Sequence, residues 1–190
     1  MKNKFKKIIL LAAILILASI FFVIFRNNNT EYVVENNSQE TIAKGIQDKV
    51  DLMDQEENYE IKILNNEEFL DHMTDGGGQL TGHFKNEGIH KIVEKLGFSY
   101  GVVTYEYYFL DKKLIMIHET EEYFPDPNNT GTLDYTRVEL GFDGYYYIDN
   151  EKLVDTEITG KKRFSTDTID EVVLSLISFS KKNVELLLNN

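Results

Sequence analysis

A chain of 190 residues with 32 acidic and 20 basic side chains and no cysteine has the length of one ordinary domain with something added. It can form no disulfide, hold no cysteine nucleophile and take no lipid anchor through a thiol. The acidic balance argues against nucleic-acid binding, which draws on clustered Lys and Arg to displace counterions.

The addition stands at the N-terminus. Met1 to Lys7 carries four lysines and no acid, and Ile8 to Phe25 (IILLAAILILASIFFVIF) is an uncharged run of 18 residues. As helix, that run would reach roughly 27 Å, close to the hydrocarbon thickness of a bilayer. A secretory signal would end in a small-x-small cleavage site. Here the run closes on Phe21, Phe22, Val23, Ile24, Phe25 and Arg26, so an uncleaved anchor is preferred to a signal sequence. With the lysines before the span, the positive-inside rule leaves the N-terminus in the cytoplasm. Residues 27 onward are then extracytoplasmic, on a single-pass protein of the cell membrane.

All five basic residues of 1–26 fall outside the remainder, so residues 27–190 keep 15 basic against 32 acidic side chains, a net of −17. Such charge keeps an exported domain soluble. It also makes basic proteins, cationic peptides or divalent cations the natural electrostatic partners.

Residues 27–39 (NNNTEYVVENNSQ) read as a polar tether, and residues 40–190 as the domain. Ser38 can cap a helix over 40–57 whose apolar positions Ile42, Ile46, Val50 and Met53 share one face. Tyr59, Ile61 and Ile63 alternate as in a strand, whereas Asn65 to Met73 looks helical. From Gln79 to about Arg163 the chain is rich in Val, Ile, Thr, Tyr and Phe, with turn residues every ten or so positions, the pattern of antiparallel strands. Three passages, "HFKNEGIHKIV", "YYFLDKKLIMI" and "YYYIDNEKLV", share hairpin chemistry at spacings too irregular for a repeat. Asp143-Gly144 offers a further two-residue turn. Thr168 and Glu171 make a capping box for a C-terminal helix with Ile169, Val172, Val173, Leu176, Ile177, Val184 and Leu188 on one face. The expected fold is α+β: an antiparallel meander of about five to seven strands, packed by the N-terminal amphipathic helix and the C-terminal helix.

The glycine-rich stretch "TDGGGQLTGHFKNEGIHKI" (residues 74–92) invites a ligand loop. A Walker loop fails, since His83 and Phe84 follow Gly82 where Lys and Ser or Thr are needed. The dinucleotide fingerprint fails as well, because Thr81 stands three residues after Gly78. Gly88 suits the left-handed position of a three-residue hairpin loop with a bulge. That register sets His83 opposite Lys91 and Phe84 opposite His90, so the two histidines point to opposite faces and make no metal pair. Leu80, Gly82, Phe84 and Ile92 then share one face, and Gln79, Thr81, His83, Lys85, Lys91 and Lys95 the other. Asp126 to Arg137 departs from a calcium loop at its twelfth position, Arg137, where a bidentate Glu belongs. No metal and no cofactor are expected.

The Tyr-rich hairpin "TYEYYFLDKKLIMIHE" is the best place for a site. With Asp111-Lys112 as a two-residue turn, Glu106 opposes Ile117, and Glu106, Tyr108 and Glu119 share a face. Two carboxylates there suit a cation, a glycan beside a tyrosine platform, or the acid/base pair of a glycan hydrolase. These three residues are the candidate ligand-binding set. His118 is read as a hydrogen-bonded residue at the edge of an apolar face. No catalytic residue is assigned, because the chain has no G-x-S-x-G elbow and no H-E-x-x-H.

The run from Gly77 to Glu119, 43 of the 190 residues, with its passages "GGQLTGHFKNEGIHKIVEKLG" and "SYGVVTYEYYFLDKKLIMIHE", resembles uncharacterised small exported and membrane-anchored bacterial proteins. The resemblance implies a small extracytoplasmic β-rich domain and brings no catalytic residues. The functional expectation is a binding or interaction domain of the bacterial envelope, possessing a membrane anchor at 8–25 and a basic protein or glycan partner. The alternatives are a glycan-acting hydrolase and a structural subunit of a membrane complex.

Overall fold

A computed structural model describes residues 38–164 and 167–190; the apolar segment 8–25 and the start of the tether lie outside the described residues. Among the described residues no helix is long and apolar enough to cross a membrane. The chain divides at Thr41, and Ile42–Asn190 forms one compact unit. The first helix (α1) covers residues 38–54. It is shorter at its C-terminus than the sequence suggests, and Ser38 is already inside it.

Seven strands follow: β1 (Glu60–Asn65), β2 (Gly78–Lys85), β3 (Gly88–Phe98), β4 (Gly101–Leu110), β5 (Lys113–Tyr123), β6 (Glu139–Asp149) and β7 (Lys152–Gly160). They pair antiparallel in chain order, a plain meander. The helix expected between Asn65 and Met73 is reduced to a single 3-10 turn, Asn66–Glu68. Asp143-Gly144 is no turn, for both residues lie mid-strand in β6, opposite Thr159 and Ile158. The C-terminal helix α2 (Ile169–Asn189) starts at the expected box, with the Glu171 amide donating to Thr168 Oγ1 and the Thr168 amide to Glu171 Oε2.

Three hairpins are built alike. Asn86-Glu87, Asp111-Lys112 and Asn150-Glu151 all have positive φ at both residues, between 48° and 66°, as a two-residue type I′ turn requires. The left-handed pair is therefore Asn86-Glu87, and Gly88 is the first residue of β3. After each turn one residue is bulged out of the ladder. Phe84 faces Ile89 but His83 faces Lys91, leaving out His90. Likewise Phe109 faces Leu114 and Tyr108 faces Met116, leaving out Ile115. Ile148 faces Leu153 and Tyr147 faces Asp155, leaving out Val154.

Because side chains alternate, the sheet has two distinct faces. One shares a core with α2: Leu80, Ile92, Tyr107, Ile117 and Tyr146 cluster with Val173, Leu176, Ile177 and Leu187. Gly82 leaves the gap that Leu187 fills; a Cβ there would come within 2.9 Å of the leucine. The other face meets α1, where Ala43, Ile46, Val50 and Met53 pack on Tyr108, Met116 and Tyr147. The α1 contacts lie toward the type I′ turns, leaving the rest of that face open among the described residues. At the far end Gly76 and Gly97 pack backbone against backbone, a Cβ on either meeting main-chain atoms at 2.8 Å.

Candidate functional site

The bulge at Ile115 decides where the candidate residues go. It moves the β4–β5 register by one, so Glu106 faces His118 and Tyr105 faces Glu119. Glu106 and Tyr108 stay together on the α1 side, while Glu119 lies on the α2 side. The expected carboxylate pair is therefore divided by the sheet. His118 and Met116 stand on the α1 side with Glu106.

On the open face a chain of alternating charges crosses four strands. Asp143 Oδ1 lies 2.7 Å from His118 Nε2, and Glu106 Oε2 lies 3.0 Å from His118 Nδ1. Lys91 Nζ then approaches Glu106 Oε1 and Asp54 Oδ1, both at 2.9 Å. The Tyr108 hydroxyl sits in the same knot, accepting from Lys91 at 2.8 Å and lying 3.0 Å from Asp54 Oδ2. The imidazole also stacks on Tyr145, centroids 4.1 Å apart and planes 8° from parallel.

Both ring nitrogens of His118 face carboxylate oxygens, an arrangement that favours the imidazolium, in which both donate. Burial alone would push its pKa down, but the bonds to Glu106 and Asp143 and their charges hold it above its ordinary 6.5. Burial likewise pushes Glu106 up, and the bonds from His118 and Lys91 outweigh it, holding the carboxyl at about 2. An imidazolium with both protons engaged has no lone pair for base catalysis or metal ligation. What the arrangement does chemically is fix three carboxylates in place and keep that of Glu106 ionised.

The remaining open surface is polarised. Alternation and register put Lys85, Lys91 and Lys95 on β2 and β3, and Glu106, Glu122, Asp143 and Glu157 on β4 to β7. Glu122 and Asp143 are half-buried and Glu157 is exposed, while Glu157 accepts the Tyr147 hydroxyl.

Across the sheet, Glu119 is 1% exposed. It is matched by Lys162 Nζ at 2.6 Å and the Tyr146 hydroxyl at 3.0 Å. Glu121 accepts from the Tyr123 hydroxyl and the Arg163 amide. Glu94 takes the Asn183 amide at 2.8 Å, and burial pushes its carboxyl up. The segment after β7 thus lays Lys162 and Arg163 over buried acids, where each has a partner and no ligand is needed.

His83 and His90 do not point to opposite faces. As the bulged residue, His90 turns toward Tyr59, whose ring lies 5.8 Å from His90 and 5.6 Å from His83. The two histidines share one aromatic neighbour, and among the described residues no group of three or more His, Cys, Asp or Glu could hold a metal. Asp126 accepts the Thr130 and Gly131 amides as an ordinary polar turn.

Sequence reasoning named Glu106 and Tyr108 but missed Asp54, Lys91, His118 and Asp143 as their companions. The available signal was the pair of consecutive bulky residues after each turn, Ile89-His90, Leu114-Ile115 and Leu153-Val154, which breaks strand alternation and marks a bulge. No family model matches the chain, and no curated protein or solved structure matches it.

Proposed function

We propose that this protein is a non-enzymatic binding domain, anchored through residues 8–25 to the bacterial cell membrane and displayed outside it, that takes a basic protein partner on the open face of its sheet. The carrying observation is the acidic half of that face. Glu106, Glu122, Asp143 and Glu157 lie on four adjacent strands, with the His118 ring between Glu106 and Asp143. The net −17 of residues 27–190 would draw a cationic partner from a distance. Rigid strands would then present the carboxylates at fixed spacing, which favours register and specificity over raw affinity.

The geometry gives the hydrolase reading no support. Glycoside hydrolysis needs two carboxyl groups flanking one bond at roughly 5–9 Å, and Glu106 and Glu119 face opposite sides of the sheet. Glu119 is also enclosed by Lys162 and Tyr146.

The test is chemical-shift mapping of the full chain with an oligolysine peptide. Shifts concentrated at Glu122, Asp143, Tyr145 and Glu157 support the reading. Shifts spread evenly over the surface, or centred on α2, overturn it.

A further inference from the structure

The sheet ends on two edge strands, β1 and β7, and they are not finished alike. β1 is six residues long, and its Lys62 gives its ammonium to the Leu187 carbonyl of α2 at 2.7 Å. A short edge with an inward-turned lysine is protected against further pairing. β7 is nine residues long, and every residue from Glu157 to Gly160 is exposed. Its stretch Thr156 to Gly160 has no proline, no lysine and no bulge, the devices that ordinarily close an edge.

The ladder fixes which main-chain groups of β7 face outward. The Lys161 amide donates to the Gly141 carbonyl at 2.9 Å, so Glu157 and Thr159 also bond toward β6, and Thr156, Ile158 and Gly160 turn their amides and carbonyls away from it. The Thr156 amide agrees, since it donates to the side chain of its own neighbour, Asp155 Oδ1, at 2.8 Å. Side chains divide by the same alternation. Asp155 and Glu157 stand on the α1 side, opposite Tyr147 and Tyr145, and Thr156 and Ile158 on the α2 side. Register lines up Glu106, His118, Tyr145 and Glu157 in one cross-strand row. That row ends at the edge on Glu157, which accepts the Tyr147 hydroxyl but has no salt bridge among the described residues.

We infer that the basic partner is held as an additional strand on β7, an extended segment with Lys or Arg beside Asp155 and Glu157 and β-branched side chains beside Thr156 and Ile158. This rests on the acidic-face reading and adds how the partner is gripped. Main-chain bonds to Thr156, Ile158 and Gly160 supply affinity, and the alternation of side chains supplies specificity. A cation beside Glu157 extends the row that begins at Glu106 by one opposite charge, a favourable cross-strand pair. A second copy of β7 fits poorly, because it brings its own Asp155 and Glu157 to the same edge.

The test titrates the full chain with the end-blocked peptide Lys-Thr-Lys-Val-Lys-Thr-Lys and with a scrambled peptide that groups the same lysines together. Amide hydrogen exchange at Ile158 and Gly160 should slow on binding the alternating peptide and not the scrambled one. N-methylation of alternate peptide amides should weaken binding about ten-fold, roughly 1.4 kcal/mol, for the set that faces β7 and leave the other set unaffected. Ile158→Pro removes an outward donor that the β6–β7 ladder does not use, where an edge strand tolerates proline, and should weaken binding to a similar degree. A melting temperature verifies folding of that variant, and the methylated peptides make the same test without altering the protein. Equal binding of both peptides with no slowing at the β7 edge would overturn strand addition and leave the acidic-face reading standing. Failure of both peptides to bind would overturn that reading and this inference with it. Equal loss from both methylated sets would also overturn strand addition.

Discussion

Glu106 and Glu119 stand on the two strands of one hairpin yet point to opposite faces of the sheet, because Glu106 pairs with His118 and Tyr105 pairs with Glu119. Each glutamate consequently has its own cation: His118 and Lys91 for the first, Lys162 for the second. The hairpin supports two separate electrostatic systems, one on an open face and one enclosed, and they respond differently to pH and mutation.

The open system should give a bounded pH optimum. Glu106 has a folded pKa of about 2 against an ordinary 4.5, so its stabilisation is present above pH 4.5 and lost as pH falls toward 2. His118 is raised above 6.5, so its stabilisation is present below 6.5 and lost as pH rises through the folded value. The network contributes most between about pH 4.5 and 6.5. Glu106→Gln should cost about 1–3 kcal/mol in that window, and the gap to wild type should shrink on both sides. Thermal melts from pH 2 to 9 check this; a gap independent of pH would contradict it.

The enclosed system should behave as a coupled pair. Lys162→Met leaves the buried Glu119 carboxylate without its counter-charge and should destabilise by about 3 kcal/mol. Adding Glu119→Gln removes the charge and keeps an acceptor for Tyr146, so the double variant should recover most of the loss. Chemical denaturation of the two singles and the double measures the coupling. Additive losses would mean that the contact at 2.6 Å carries no energy.

Much of this architecture was legible in the chain. The meander, the Asp111-Lys112 turn, the Thr168 box and the division of β2 between Leu80 and Thr81 faces all follow from alternation and turn chemistry. The site was half legible. Counting by twos from the turn fails once a bulge intervenes, and a slip of one residue sends every side chain beyond it to the other face. That is why Glu119 was placed beside Glu106 and His118 was not. Asp54 and Asp143 come from α1 and β6, and only long-range packing brings them to Glu106; no local pattern announces that. Asp143-Gly144 has turn chemistry without a turn, since its flanks pair across β5 and β7 and tertiary pairing outweighs local preference.

The type I′ turns offer a stability test with no bearing on the site. Glu87 adopts φ of 61°, a left-handed conformation that costs a residue with a Cβ roughly 1–2 kcal/mol. Glu87→Gly relieves this, partly offset by the added freedom of the unfolded glycine. A net gain of about 0.5–1 kcal/mol should raise the melting temperature by roughly 1–4 °C. An unchanged or lower melting temperature would show that the turn is not strained.

The binding claim is tested most directly by the salt dependence of complex formation. The full chain would be titrated with a cationic peptide between about 20 and 500 mM salt, over which the Debye length falls from about 20 Å to about 4 Å. The same series would be run on the Glu122→Lys, Glu157→Lys double variant. Affinity should fall steeply with salt in the wild type, and the double variant should bind weakly at every salt concentration. Binding that is indifferent to salt, or a double variant that binds as well as wild type, would contradict the assignment of the acidic sheet face as the docking surface.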